Sequence, residues 1–363
     1  MKKYVTLGEV CTKGSSNIAQ KDIEQNNGSY GIYGASGYIK DVDFYHQDKP
    51  YIAVVKDGAG IGRTMLLPEK TSVIGTMQYL IPSDMVCVEY LYYAVTYMNL
   101  AKYFSGATIP HIYFKDYQKE KLPLLTIDEQ RKISDNLRKI DRLIELCSGI
   151  LQKLDVLVKS RFVEMFGEPI SNPMGWECCE LGDCLESIDN GKSYVCDNDC
   201  RTGDNPAILK LSAVTYGIYR PDENKAMIDE DLFDESAEVK DNDLLFTRKN
   251  TPELVGMSAY VFSTPQKLMM PDLIFRLNAK SSCNKIYLWQ LINHDLFRPC
   301  IQNIANGSAK SMSNISKERL SKLTIPVPPL ALQKKFAAFV EQTDKSKFIA
   351  KKIAESVRSV KIL

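Results

Sequence analysis

The chain has 363 residues, enough for two ordinary domains that each bury a core, and its 44% hydrophobic and 25% charged residues are those of a globular protein. With 46 basic and 45 acidic side chains the net charge is +1, so composition alone does not mark a nucleic-acid binder. No apolar run approaches the roughly 18–20 residues that a membrane-spanning helix needs, and the opening MKKYVTLGEVCTKG lacks the apolar stretch of a signal peptide. A cytoplasmic location is the expectation.

The first lobe spans residues 1–125. Short β-type runs such as Tyr51–Val55 and Ser72–Ile74 alternate there with Gly and Asn turns. A helical stretch is expected at Val88–Tyr103, and Pro123 closes the lobe. A helix follows within 126–166. From Ile133 the positions 133, 137, 140, 144, 147, 151, 154 and 158 are Ile, Leu, Ile, Ile, Cys, Leu, Leu and Val, the spacing of a coiled-coil seam. Counted from Gln130 to Phe166 this helix would be about 55 Å long at 1.5 Å per residue. Gly149 lies inside it and is expected to mark a bend.

The second lobe, 167–327, repeats the pattern with Ala207–Leu211, Leu244–Thr247 and Met257–Phe262 as strands and Lys285–Asn293 as a helix. Five of the ten cysteines crowd into its start (Cys178, Cys179, Cys184, Cys196 and Cys200), without a C-x-x-C pair and with only three histidines in the whole chain. Free thiols are therefore favoured over a zinc site. Ten carboxylates and two lysines fall between Asp222 and Asp243. That stretch is expected as a solvated face turned away from any phosphate backbone. The last segment, 328–363, carries a second seam at Leu332, Phe336, Phe339, Thr343, Ser346, Ala350, Ile353, Val357 and Val360.

The two halves are duplicates. Pro123 aligns with Pro326, Gln130 with Gln333, Lys132 with Lys335 and Asp141 with Asp344, all at an offset of 203. The lobes also begin alike, Leu7-Gly8-Glu9 against Leu181-Gly182-Asp183, at an offset of 174, so the second lobe carries 29 extra residues. An apolar seam must be buried. The duplication offers each helix the other as partner, and a separate docking protein is the alternative.

No catalytic constellation emerges. The GKS at Gly191–Ser193 lacks the earlier glycine of a phosphate-binding loop, since position 186 is Glu. Asp57-Gly58-Ala59-Gly60-Ile61-Gly62-Arg63 is glycine-rich, but Pro68 prevents the helix that a dinucleotide or S-adenosylmethionine loop requires. A tight loop exposing backbone N–H groups is expected instead. Pro271-Asp272 has no E-x-K partner downstream. Val327-Pro328-Pro329-Leu330 lacks the flanking Asn or Asp and the aromatic of an amino-methyltransferase motif.

Leu122–Ile133, Arg161–Trp176 with Leu181-Gly182-Asp183, and Ile325–Gln333 together resemble the type I restriction–modification specificity subunit, over essentially the whole chain. The resemblance implies an α+β fold: two mixed α/β target-recognition domains joined by two long helices in an antiparallel coiled coil. It implies double-stranded DNA as ligand, each domain reading half of a bipartite site. The implied partners are two modification (methyltransferase) subunits, which carry the S-adenosylmethionine, and restriction (endonuclease/translocase) subunits that join for cleavage. This chain would bind no cofactor or metal and hold no catalytic residue. Candidate DNA contacts in the first lobe are Lys13, Ser15, Tyr30, Tyr33, Lys56, Arg63 and, in the Gly106–His111 loop, Thr108 and His111. In the second they are Lys192, Tyr194, Lys210, Arg248, Lys249, Asn250 and, in the Gly307–Asn314 loop, Ser308, Lys310, Ser311 and Asn314. Lys and Arg on phosphates supply affinity, while side chains at base edges supply specificity. A scaffold of two lobes that organises partner proteins is the rival reading, favoured by the near-neutral charge and the acidic second lobe.

Overall fold

The computed structural model describes residues 3–106, 109–306 and 312–362. The chain divides into two compact units, residues 1–146 with 354–363, and residues 147–353.

In the first unit, α1 (Leu7–Val10) follows β1 (Lys3–Thr6), which pairs with β9 (Lys121–Leu124). A four-stranded antiparallel sheet has the order β2 (Cys11–Ser15), β8 (Met77–Pro82), β5 (Tyr51–Val55), β6 (Thr64–Leu67). A smaller sheet sets β3 (Tyr30–Gly34) between antiparallel β4 (Gly37–Val42) and parallel β7 (Ser72–Val73). Helices α2 (Val88–Tyr97) and α3 (Phe114–Tyr117) complete the lobe. The expected single helix over Val88–Tyr103 breaks at Asn99, whose φ of +49° ends the α-helical turn, and a 3₁₀ turn continues from Leu100.

The second unit repeats this plan. Here β10 (Cys178–Glu180) pairs with β20 (Thr324–Pro326). The four-stranded sheet runs β11 (Leu185–Asn190), β18 (Ile274–Ala279), β14 (Leu244–Thr247), β16 (Ser258–Tyr260). The smaller sheet sets β12 (Ala207–Leu209) between antiparallel β13 (Asn224–Ala226) and parallel β17 (Leu268–Met269). A two-residue ladder joins β15 (Lys249–Asn250) to β19 (Ser313–Asn314). Helices α5 (Lys285–Ile292), α6 (Arg298–Asn303) and α7 (Lys317–Ser321) follow. Strand order and direction agree sheet by sheet, so the duplication extends to topology. Much of the second lobe's extra length enters between β12 and β14, where 210–243 replaces the shorter 35–50. That insert contains the acidic stretch. It is not simply solvated, because Asp243 is buried in an ion pair with Arg276, Nε to Oδ2 2.9 Å.

Two long helices leave the lobes: α4 (Ile127–Phe166) and α8 (Leu330–Ile362). The 40 residues of α4 amount to about 60 Å of helix. A capping box starts it: Glu129 accepts from the Thr126 N–H at 3.0 Å and from its hydroxyl at 2.8 Å. Gly149 causes no break in the helix. The end of α4 explains the linker motif. Gly167 takes a φ of +75°, and a Cβ there would lie 2.7 Å from Pro173. Asn172 and Trp176 lock the following turn, while the Trp176 indole donates to the Phe166 carbonyl at 2.8 Å.

The two glutamines at the 203 offset do the same work in each unit. Gln130 is fully buried. Its Oε1 accepts from the Cys87 N–H at the start of α2 (2.9 Å), and its Nε2 donates to the Met85 and Leu125 carbonyls. Gln333, also fully buried, accepts from the Asn284 N–H at the start of α5 (2.8 Å) and donates to the Pro328 carbonyl. The Tyr90 hydroxyl donates to the Pro123 carbonyl and the Tyr287 hydroxyl to that of Pro326, each at 2.7 Å.

The apolar seams need correction at three positions. Leu137, Ile140, Ile144, Cys147, Leu151, Leu154 and Val158 are buried or half-buried, but Ile133 is 38% exposed. Its counterpart Phe336 is buried because Phe162 and Phe166 of α4 meet it at 5.6 and 5.3 Å between ring centres. In α8 the buried or half-buried line runs Phe336, Val340, Thr343, Lys347, Ala350, Ala354 and Val357, so the expected Ser346 and Ile353 are exposed. The side chain of Val360 lies outside the described residues.

All ten cysteines are free thiols. Cys179 and Cys184 stand 3.5 Å apart, and burial pushes the Cys179 thiol up to about 12.

Gln130→Ala or Gln333→Ala is expected to destabilise the protein by about 2–3 kcal/mol, since each leaves a buried backbone N–H without its acceptor. Thermal melting checks this, and an unchanged midpoint would remove the clasp from the account. Gly149→Ala meets no atom within 4 Å outside the local helix backbone and is expected to stabilise by about 1 kcal/mol in the same assay.

Candidate nucleic-acid interface

In each four-stranded sheet, one end gathers the loops that carry most candidate residues. In the first unit β2 and β5 finish at this end while β6 and β8 begin there. Ser15 is exposed at the tip of β2, and Lys56 and Arg63 bracket the glycine-rich turn between β5 and β6. The Lys56 and Asp57 N–H groups donate to the Thr76 carbonyl, Gly58 donates to Pro110, and Gly62 donates to Val55 at 2.8 Å. These amides bond inward, so the turn does not present the row of free N–H groups expected of it. Gly62 is obligatory: its φ is +79°, and a Cβ would lie 2.4 Å from the Ala101 nitrogen. Arg63 donates from Nη1 to the Ala35 carbonyl in the β3–β4 turn.

The loop before α3 joins the same end. Ser105 and His111 exchange backbone hydrogen bonds of 2.8 Å, and the Ile112 N–H donates to the Lys56 carbonyl. His111 Nδ1 lies 2.7 Å from Asp57 Oδ1, and Lys56 Nζ lies 3.6 Å from Asp57 Oδ2. Ser15, Lys56, Arg63 and His111 thus lie at the same end of the sheet. Lys13 stands two residues down the exposed edge of β2, opposite Leu80. Tyr30 and Tyr33 belong to the smaller sheet, packed edge-on against Tyr45 and Tyr38. Thr108 lies outside the described residues.

The second unit builds the corresponding end. The Gly256 N–H donates to Thr247 as Gly62 does to Val55, and the Ile315 N–H donates to Arg248 as Ile112 does to Lys56. Asn306 and Asn314 exchange backbone hydrogen bonds as Ser105 and His111 do. Arg248 therefore stands in the place of Lys56, and Asn314 in that of His111. Arg248 donates from Nε and Nη2 to Asn314 Oδ1, both at 3.3 Å, and lies over the Phe275 ring at 5.1 Å. Lys317 approaches the same ring at 5.8 Å. Lys249 pairs with Asn314 through the backbone ladder.

The remaining candidates separate. Tyr194 and Lys210 line a cleft of about 370 Å³ with Lys225, beside β12. Asn250 is only 7% exposed. It donates to the Thr215 hydroxyl and accepts from the Thr251 N–H, so it works inside the lobe rather than at its surface. Lys192 is ion-paired with Asp234 of the acidic stretch, which places one of those carboxylates on a candidate cation instead of away from it. Ser308, Lys310 and Ser311 lie outside the described residues. Sequence reasoning missed Asp57, Phe275, Lys225 and Lys317. Asp57 was visible only as the first letter of a glycine motif, and Phe275 as one more apolar strand residue.

A family model described as the type I restriction modification DNA specificity domain matches residues 2–156 and again 173–358. The chain belongs to that family. Both matches of this specificity-domain protein include one complete end of the kind described above. It is 32% identical over 176 residues to the EcoEI specificity subunit of Escherichia coli, a stretch that takes in 48% of this chain but only 30% of that relative's length. It is 23% identical over 331 residues to the MjaVIII specificity subunit of Methanocaldococcus jannaschii, covering 85% of this chain and 76% of the relative. Its fold is similar to the crystal structure of a type I restriction–modification S subunit from M. genitalium, with a TM-score of 0.67 at 13% identity over 99% of this chain and 94% of that one. Among the described residues no helix is long and apolar enough to cross a membrane, and no cluster of three ligating side chains could hold a metal ion.

The Lys192 ammonium, followed by Ser236, holds the Asp234 carboxyl at about 2, below its ordinary 3.8. A depressed acid stabilises the fold above its unfolded value, so this contribution is present above pH 3.8 and is lost as the pH falls towards about 2. In Lys192→Ala the Asp234 midpoint should move up, read by carboxyl-carbon NMR. An unmoved midpoint would assign the depression to Ser236 alone.

Proposed function

We propose that the chain is the DNA-reading subunit of a type I restriction–modification complex, with each lobe reading one half of a bipartite site through the loop-bearing end of its four-stranded sheet. The observation that carries this reading is the repeated site: the same turn, glycine and bridged loop recur at the same sheet end in both units, presenting different side chains. Two copies of one frame with different contents are what two half-sites of different sequence require.

In this reading α4 and α8 pair as an antiparallel coiled coil that separates the half-sites. Within the second unit, Phe162 meets Phe336 while Asp155 meets Lys347, so contacts advance along the two helices in opposite directions. A rod of about 60 Å exceeds the roughly 34 Å between sites one helical turn apart on a duplex. The exposed helix faces dock two modification subunits, which bind S-adenosylmethionine and methylate the DNA. Restriction subunits join for cleavage, and this chain supplies recognition without a catalytic group or cofactor of its own.

The decisive experiment maps methylated adenines in methylation-free cells that express the chain with its cognate methyltransferase. A bipartite motif that disappears when the chain is omitted is the expected result. Soluble, associated proteins that leave no motif would sink the reading and favour a protein scaffold. In the same complex Arg63→Ala is expected to weaken DNA binding. A guanine contact would show as a loss of about 1–3 kcal/mol with relaxed preference at one base. A phosphate contact would lower the salt slope by about one and leave preference intact. Unchanged affinity and slope would remove Arg63 from the interface.

A further inference from the structure

His111 and Asn314 are separated by the same 203 residues as Gln130 and Gln333. Each closes the bridged loop of its lobe, on Ser105 and Asn306 respectively, and each faces the segment that follows β5 or β14. Their backbone settings match. Their side-chain partners are opposite in kind.

In the first lobe the partner is a carboxylate, which only accepts. With Asp57 Oδ1 at 2.7 Å, the proton of a neutral His111 ring sits on Nδ1, and Nε2 is an acceptor. The His111 side chain is 37% exposed. Lys56 Nζ lies 3.6 Å from the other Asp57 oxygen. In the second lobe the partner is a guanidinium, which only donates. Arg248 places Nε and Nη2 on Asn314 Oδ1 and is itself fixed over Phe275. The Asn314 oxygen is thereby engaged, and the group it can offer a ligand is the Nδ2 donor.

We infer that His111 and Asn314 are equivalent base-reading positions, and that Asp57 and Arg248 are positioning residues that give them opposite hydrogen-bonding sense. With a neutral His111 ring the first lobe presents an acceptor, suited to the exocyclic amino group of adenine or cytosine. The second presents a donor, suited to guanine O6 or N7 or to thymine O4. Matching frames with opposite polarity let one duplicated scaffold read two unlike half-sites. The inference rests on the DNA-reading function proposed above.

The test uses the complex with its methyltransferase and the map of methylated adenines, for the wild type and for Asp57→Asn, His111→Gln, Arg248→Ala and Asn314→Asp. Asp57→Asn and His111→Gln should relax one base of one half-site by ten- to a hundredfold and leave the other half-site unchanged. Arg248→Ala should relax one base of the opposite half-site. Asn314→Asp, which exchanges a donor for an acceptor, should change the base preferred there. A motif that keeps every base in Asp57→Asn and His111→Gln overturns the inference, as does weakening spread evenly over both half-sites. Should Asp57→Asn melt early, His111→Gln and Asn314→Asp carry the decision, because both alter half-exposed surface groups. A wild-type complex without any bipartite motif fails the DNA-reading function itself, before the variants are compared.

Discussion

One buried glutamine amide in each unit ties the lobe to its long helix. Gln130 and Gln333 both sit in the first helical turn, where backbone groups lack partners within the helix, and both reach out to a second helix start. Each amide joins three things: the first turn of a long helix, the carbonyl of the strand exit preceding it, and the N-terminal N–H of the short helix that roofs the sheet. A side chain carrying one donor group and one acceptor, buried completely, tolerates few other arrangements. Tyr90 and Tyr287 add a hydroxyl to the carbonyl of the proline that closes each lobe. The direction in which each helix leaves its lobe is therefore set by polar groups with defined geometry, while apolar packing supplies bulk.

The clasp frees the opposite part of the lobe for variation. The loops at the end of each four-stranded sheet hang from backbone hydrogen bonds common to both units, and their glycines, Gly62 and Gly256, sit where any Cβ would strike the adjoining segment. Conformation is held by main chain, so side chains can differ freely. Lys56, Asp57 and His111 occupy one frame and Arg248, Lys249 and Asn314 the other, changing both charge and hydrogen-bonding sense. The acidic insert adds a further difference, since its Asp234 holds Lys192 and its Asp243 holds Arg276. Carboxylates that look like a repulsive face in the sequence spend part of their charge on cations of the same lobe.

Much of the architecture was legible because repetition is a sequence property. The offset of 203 identified both glutamines and both closing prolines, and Tyr51–Val55 and Leu244–Thr247 are strands to the residue. The seams were legible to within one position. A spacing of 4, 3, 4, 3 fits more than one line along a helix, and only packing chose Lys347 and Ala354 over Ser346 and Ile353 as the buried line, with Val340 joining the half-buried Phe339. Ile133 shows the same limit from the other side: it is apolar and in register, yet exposed, because burial also requires a neighbour such as the Phe162 and Phe166 pair that covers Phe336.

By itself the sequence determined the duplication, the two long helices and the family to which the chain belongs. These follow from local spacing, from proline and glycine chemistry and from residue-by-residue matches. The tertiary structure alone decided which charged and polar groups are free. Asn250 turned inward, Lys192 acquired a carboxylate, the glycine-rich turn bonded its own amides, and Asp57 emerged as the partner of His111 across 54 residues of chain. Hydrogen bonds and ion pairs form between groups brought close by folding, and neither their partners nor their direction leaves a periodic trace in the chain.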